Sequence, residues 1–288
     1  MEAPATIERP DLAVVSDTRR RALIMPREHG AWGILLVPLA TGIAVGRTHA
    51  GRGLPLLPLT IATIALFWAR TPLESLSGAG PMRASSHDER RIAARVALAF
   101  LSLAATALAV LFRLGGSLQV LWLGAAAGLA FALQGLINKF RRSARLSAQL
   151  IGAAGLSVTA PAAYCVAIGK VDATAAALWL LNWMFAANQI SFVQLRIHGA
   201  KLRPHEKLAR GWPFVAGHLA AAIVLGLACY LGLLPWFTLI AFVPVLVRGM
   251  IWLAQEPRPL AIHRLGWTEL GHAIAFGVLL VTGFLLAH

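Results

Sequence analysis

Nine apolar segments follow one another along the chain, most of them near the length that an α-helix needs to cross a bilayer. A helix spans the hydrocarbon core with roughly 20 apolar residues. The segments, of which the first two are the shortest, lie at 31–47, 54–70, 93–113, 116–137, 148–168, 173–196, 212–232, 234–255 and 267–287. This pattern predicts an all-α, polytopic membrane protein with about nine transmembrane helices.

The basic residues predict how these segments are oriented. All but four of the 26 Lys and Arg residues fall on one side of the predicted topology, and the exceptions are Arg47, Arg52, Arg113 and Lys170. Cytoplasmic loops of membrane proteins are enriched in Lys and Arg. We therefore expect a cytoplasmic N-terminus and a C-terminus on the outer side.

The composition excludes a soluble domain. The chain is 58% hydrophobic and 13% charged, and its net charge is +14. Because this charge lies in the predicted cytoplasmic loops, topology and anionic lipid headgroups explain it, and we expect no nucleic-acid binding. We expect residues 1–22, which are polar and lack apolar periodicity, to form a disordered cytoplasmic tail. Residues 23–288 would form one transmembrane domain.

The sixth segment carries polar side chains on two nearly opposite stripes. One stripe holds Asn182, Gln189 and Arg196, and the other holds Asn188, Ser191, Gln194 and His198. A helix that is polar on two sides cannot turn either side comfortably to lipid. The sixth helix should therefore be central in the bundle, or unwound where it borders water.

Four further polar residues lie in the same leaflet as these side chains. His218 is near the start of the seventh segment, Arg248 is near the end of the eighth, and Glu269 and His272 begin the ninth. Ionisable groups at membrane depth usually face a bundle interior or a wet cavity. The shared depth predicts a polar cavity that opens toward the cytoplasm. Taken singly, Arg248 could instead snorkel to the interface, and Glu269 could favour the helix N-terminus.

Small residues and chain breakers predict two local features. The Gly124–Gly128 stretch has the Gly-xxx-Gly spacing that permits close helix packing. Residues 71–92 contain Pro72, Gly78, Gly80 and Pro81, and these breakers predict an irregular loop after the second helix.

A compact polar motif precedes the first segment, at Pro26-Arg27-Glu28-His29-Gly30-Ala31-Trp32. Pro26 suits the first turn of a helix, and Trp32 suits a membrane interface. Structural roles do not explain why Arg27, Glu28 and His29 are adjacent. If the protein is an enzyme, Glu28 or His29 is the predicted acid–base participant.

This motif, followed by Leu35-Leu36-Val37-Pro38, resembles the YwiC-like family of bacterial membrane proteins. The segments Arg70-Thr71-Pro72-Leu73-Glu74 and Arg196-Ile197-His198-Gly199-Ala200-Lys201 strengthen the resemblance. The resemblance implies a multi-pass protein of the bacterial inner membrane.

The chain is also distantly similar to UbiA-type prenyltransferases, which have nine helices and active-site loops after helices two and six. In that superfamily, two Asp-rich motifs in these loops hold Mg²⁺ and a polyprenyl diphosphate. At the corresponding positions this chain has Arg70–Glu74, with one carboxylate, and Asn188–Arg196, with none. The resemblance therefore implies a UbiA-like bundle, but the classical Mg²⁺ site is expected to be absent, and the cofactor is left open.

Basic side chains at these positions could neutralise an anionic headgroup without a metal. Our first hypothesis is a membrane protein that binds, or binds and modifies, an isoprenoid or quinone-type anionic amphiphile in the cytoplasm-facing cavity. If it modifies the ligand, it would be a UbiA-like transferase. The predicted substrate-binding residues are Arg27, Arg70, Glu74, Asn188, Gln194, Arg196, His198 and Lys201.

Two other classes of function stay open from the sequence. A transporter or permease would line a path through the bundle with polar residues. The outer halves of the segments are largely apolar, which disfavours that class. A non-catalytic assembly or scaffold protein would use its cytoplasmic loops to dock a partner.

Overall fold

The structure is a computed structural model that describes residues 19–25, 29–48, 52–80, 82–257 and 259–287, apart from the side chains of His29 and Arg142. Within these ranges the secondary structure is helical, without strands. The α-helices are α1 (His29–Thr48), α2 (Leu56–Ser77), α3 (His87–Arg113), α4 (Gln119–Phe140), α5 (Arg145–Ser157), α6 (Thr159–Ile168), α7 (Ala173–Gly199), α8 (Pro204–Tyr230), α9 (Val243–Ala254) and α10 (Ile262–Leu285).

The helices confirm the predicted membrane architecture. Nine helical stretches among the described residues are long and apolar enough to cross a membrane. The fifth stretch, Arg145–Ile168, joins α5 to α6. The eighth, Trp236–Ala254, joins a 3₁₀ helix at Trp236–Phe242 to α9. The chain is therefore an all-α, multi-pass membrane protein, and its orientation and bacterial inner-membrane location stay predictions.

The chain divides into two compact units. The first comprises Met1–Arg27 and Ile61–Thr106, and the second comprises Glu28–Thr60 and Ala107–His288. Residues 1–18 of the predicted disordered tail lie outside the described residues, whereas residues 19–24 are helical.

In the first unit, the short helix at 19–24 is fixed to the start of α3. The Arg19 guanidinium forms an ion pair with Glu89 and donates a hydrogen bond to Ser85 Oγ over 2.9 Å. The carboxylate of Glu89 raises the pKa of Arg19. Trp68 of α2 packs on Phe100 of α3, with ring centroids 5.2 Å apart.

The predicted loop after the second helix begins later than expected. Helix α2 continues through Pro72 and ends at Ser77, so residues 71–77 are helical and the prediction is wrong there. Proline is tolerated in membrane helices, where nearby hydroxyl groups help to satisfy backbone groups. The buried Ser75 hydroxyl donates to the Pro72 carbonyl over 2.9 Å, which stabilises the turn after the proline and not the carbonyl four residues before it.

In the second unit, α1 packs closely on α6 through two glycines. A Cβ atom on Gly42 would overlap the backbone carbonyl of Ala160, and one on Gly46 would lie 2.7 Å from Ala167 Cβ. Small residues four positions apart let helix backbones approach in a membrane. The predicted packing stretch at Gly124–Gly128 does not serve this purpose, because a Cβ on either glycine would meet nothing within 4 Å.

The fifth transmembrane stretch is interrupted at Val158, between α5 and α6. Pro161 follows the interruption and lacks the backbone N–H that would donate to the carbonyl four residues earlier. Helix α6 ends at Ile168 and is followed by Gly169, whose φ of +91° favours glycine. The interruption places α6 beside α1 and α7 in the core of this unit.

Replacement of Gly42 by alanine tests the α1–α6 contact. The added methyl group meets backbone, which cannot move aside, so the free energy of unfolding should fall by about 1–3 kcal/mol. Gly124→Ala is the matched control, because its methyl group enters open space on a helix that favours alanine. Equal stability of the two variants during unfolding in detergent would contradict the close packing.

Candidate functional site

Helix α7 positions most of the predicted polar side chains and is continuous from Ala173 to Gly199. Asp172 caps its start by accepting a hydrogen bond from the Ala175 N–H over 3.2 Å. The helix packs against α1, α5, α6, α8 and α9, which makes it central in its unit. Of the two predicted alternatives, the helix is central and not unwound.

Asn182, on the first polar stripe, is buried between helices and hydrogen-bonds within the protein. It is 1% exposed, and its amide donates to Thr41 Oγ1 of α1 and to the Leu178 carbonyl over 3.2 and 2.8 Å. Gln189 is the next residue on the same stripe, and its amide donates over 2.9 Å to the backbone carbonyl of Glu269 in α10. These amides join helices, as amides commonly do in membrane proteins.

A buried ion pair joins α9 to α10. Arg248 Nη1 donates to Glu269 Oε2, and the two side chains are only 11% and 8% exposed. Each charge offsets the cost of burying the other. The pair is incompletely satisfied, since Arg248 Nε and Glu269 Oε1 are buried without a hydrogen-bond partner among the residues that the structure describes.

A directional hydrogen-bond chain extends this pair to α7 and α8. Arg248 Nη2 donates to Asn188 Oδ1 over 3.3 Å, and the Asn188 amide lies 3.2 Å from His218 Nε2. His218 Nδ1 lies 3.0 Å from the Phe214 carbonyl, which can only accept. His218 Nδ1 therefore donates to this carbonyl, and the Asn188 amide nitrogen lies 3.4 Å from the same Nδ1 atom.

Cations and aromatic rings alternate beside this pair. Arg248 Cζ lies 4.0 Å from the Phe192 ring centroid. Arg196 Cζ lies 5.8 Å from the same centroid and 5.6 Å from that of Trp252. The Lys207 ammonium lies 4.7 Å from the Trp252 centroid and donates to the Gln255 carbonyl over 2.5 Å. Such distances stabilise cations with little access to water.

A cavity of about 420 Å³ lies beside these groups. It is formed where α7 and α9 end and α10 begins, so it lies toward one side of the bundle. Under the predicted orientation this side faces the cytoplasm. The lining residues are Phe192, Arg196, Pro244, Val247, Arg248, Ile251, Trp252, Gln255, Leu265, Thr268, Glu269 and His272.

Arg196 differs from the other two cations in its hydrogen bonding. Within the described part of the chain, its guanidinium contacts aromatic rings but has no hydrogen-bond or ion-pair partner. A guanidinium can stack its faces on rings while its N–H groups donate in the plane. Arg196 thus offers unused donors at the cavity wall.

The charge of the cluster favours an anion. Arg196, Lys207 and Arg248 are three cations, and Glu269 is the one carboxylate among these four described residues. A formal excess of two positive charges remains beside a cavity with apolar walls. Charge-assisted hydrogen bonds to carboxylate or phosphate are the interactions that such an arrangement makes most readily.

The other predicted substrate-binding residues of α7 and of the segment that follows it do not line this cavity. Gln194 donates to Gln149 Oε1 of α5 over 3.2 Å. His198 Nδ1 lies 2.8 Å from the Gln194 carbonyl, and His198 and Lys201 are exposed. Asn188 does not line the cavity either, but it contacts Arg248, which does.

Arg70 and Glu74 belong to the other unit of the chain. They lie one turn apart on α2, and Arg70 Nε donates to Glu74 Oε1 over 2.8 Å. Arg27 and Glu28 lie outside the described residues, as does the side chain of His29. The roles of all five as site residues stay predictions.

Sequence reasoning missed the aromatic and lysine part of the cluster. Phe192 and Trp252 look like ordinary apolar residues of membrane helices, and Lys207 looks like a loop anchor. The depth of His218, Arg248, Glu269 and His272 was the signal that pointed to this region. Among the described residues, no group of three or more His, Cys, Asp and Glu side chains is arranged to hold a metal ion.

Removal of one partner of the buried ion pair should lower the stability of the protein. Glu269→Gln leaves the Arg248 charge buried without its counter-ion, so the free energy of unfolding should fall by about 3–5 kcal/mol. The double variant Arg248→Gln/Glu269→Gln, which buries no charge, should recover much of this loss. Glu256→Gln is the control, because Glu256 is exposed. Equal stability of Glu269→Gln and Glu256→Gln during unfolding in mixed micelles would contradict the pairing.

Comparison with known proteins confirms the family resemblance over part of the chain. Residues 25–164 match the model of a family described as YwiC-like protein. No curated protein and no solved structure matches the chain. The matched range contains the Pro26–Trp32 motif and the Arg70–Glu74 segment and ends before α7, so the cavity residues lie beyond it. The distant similarity to UbiA-type prenyltransferases stays a prediction.

Proposed function

We propose that this YwiC-like chain binds an isoprenoid or quinone-type anionic amphiphile in the cavity between α7, α9 and α10. The observation that carries the proposal is the Arg196 guanidinium, which lines the cavity with its donors unused among the described residues. Arg248 lines the same cavity but already donates hydrogen bonds to Glu269 and Asn188. Arg196 is therefore the proposed headgroup ligand.

The apolar walls of the cavity favour an amphiphile as the ligand over a small polar solute. Pro244, Val247 and Ile251 present apolar surface from α9, and Leu265 adds more from α10. Val247 and Ile251 are about half exposed, at 49% and 53%, on a helix that can cross the membrane. An apolar tail could lie along this surface while the headgroup contacts Arg196. Burial of tail surface would supply much of the affinity.

The predicted topology adds to this proposal. The cavity lies at the helix ends that the distribution of Lys and Arg assigns to the cytoplasm. A ligand headgroup would then enter from the cytoplasmic leaflet. The anionic class follows from the excess of cations, because an unpaired charge at membrane depth is costly and a bound anion offsets that cost.

Lipid extraction from purified protein tests the proposal. Wild-type protein and Arg210→Gln should retain one anionic amphiphile, enriched over bulk phospholipid, by mass spectrometry. Arg196→Gln should lower its recovery roughly tenfold to hundredfold, because a hydrogen bond to a charged group is lost. Arg210 is the matched control, since it is exposed and lies outside the cavity.

One result would overturn the proposal. Recovery of bulk phospholipid alone, in the same ratio from wild-type protein and both variants, would show that Arg196 selects no headgroup. Thermal unfolding of each variant establishes that Arg196→Gln is folded, so that a loss of lipid reports binding.

A further inference from the structure

His272 supplies a hydrogen-bond acceptor at the same cavity. It is half-buried on α10, one turn after Glu269, and it lines the cavity together with Arg196. Its Nδ1 lies 2.7 Å from the Thr268 carbonyl oxygen. A carbonyl oxygen can only accept, so Nδ1 carries the proton, and in the neutral ring Nε2 is an acceptor.

The second ring nitrogen distinguishes His272 from His218. Both rings donate through Nδ1 to the carbonyl one turn earlier in their helix. In His218 the Nε2 atom lies 3.2 Å from the Asn188 amide nitrogen. In the described part of the chain, His272 Nε2 has no such partner. His218 Nε2 therefore has a polar neighbour within the protein, whereas His272 Nε2 is available to a ligand.

The cavity thus presents two complementary groups. Arg196 offers N–H donors for an anion, and His272 offers an acceptor that needs an O–H or N–H donor. The carboxylate of Glu269 does not take this second role. One of its oxygens is bound to Arg248, and the other, although it has no hydrogen-bond partner among the described residues, exposes almost no surface to a ligand. A headgroup that satisfies both groups must carry a donor as well as a negative charge.

We infer that His272 selects, within the proposed ligand class, amphiphiles whose headgroup bears a hydroxyl group beside its anion. This inference rests on the proposed function. It favours a phenol or quinol over the corresponding quinone, because a ring carbonyl has no proton to donate to Nε2. A site whose polar group needs a partner discriminates against analogues that lack it.

Three synthetic probes test this selectivity by calorimetric titration in detergent. The first is a benzoate with a long alkyl chain and a hydroxyl group meta to the carboxylate. The second is its methyl ether, and the third lacks the oxygen substituent. Wild-type protein should bind the hydroxyl probe about threefold to tenfold more tightly than the other two, as one hydrogen bond predicts.

Variants assign the preference to His272. His272→Phe keeps a ring but removes the acceptor, so it should bind all three probes equally. His272→Gln keeps an acceptor oxygen and should retain part of the preference. His263→Phe is the matched control, because His263 is on the same helix but does not line the cavity, and it should behave as wild type.

The possible failures are distinguishable. If wild-type protein binds all three probes with equal affinity and Arg196→Gln weakens all three, the inference about His272 is overturned and the proposed function stands. A preference that persists in His272→Phe also overturns the inference. If no probe binds wild-type protein above the detergent background, the proposed function fails and the inference fails with it.

Discussion

The buried ion pair between Arg248 and Glu269 sets the arrangement of the surrounding helices. Neither charge has enough water around it to be stable alone, so α9 and α10 must keep the two side chains together. Asn188 Oδ1 accepts a hydrogen bond from Arg248 Nη2, and the Asn188 amide nitrogen lies next to the His218 ring. One charge pair thereby fixes the relative positions of side chains from α7, α8, α9 and α10.

This constraint also determines which cation is available for function. Glu269 is used by Arg248, and Lys207 is bound to a backbone carbonyl. Phe192 and Trp252 hold Arg196 through its ring contacts without occupying its N–H groups. Aromatic contacts position a cation without neutralising its charge, as a second carboxylate would. Within the described part of the chain, Arg196 is thus positioned at the cavity wall with its N–H groups available to donate.

The sequence predicted the nine membrane helices well because long apolar segments leave few alternatives to a helix in lipid. It predicted the end of α2 less well, because Pro72 breaks helices in water but not in this membrane segment. The shared depth of Arg248 and Glu269 pointed to the polar region. It could not show that Asn182 hydrogen-bonds to Thr41 while Arg196 has no hydrogen-bond or ion-pair partner among the described residues, since that difference depends on contacts between distant helices.

Photocrosslinking in the native membrane tests the central claim most directly, which is that the cavity beside Arg196 holds an anionic amphiphile. A photoreactive side chain at Ile251 would lie in the cavity wall, and one at Ile223 would lie on the exposed face of α8. We predict that position 251 captures one anionic amphiphile, that Arg196→Gln lowers this capture, and that position 223 captures bulk phospholipid. Capture of the same phospholipid mixture at both positions would contradict the account.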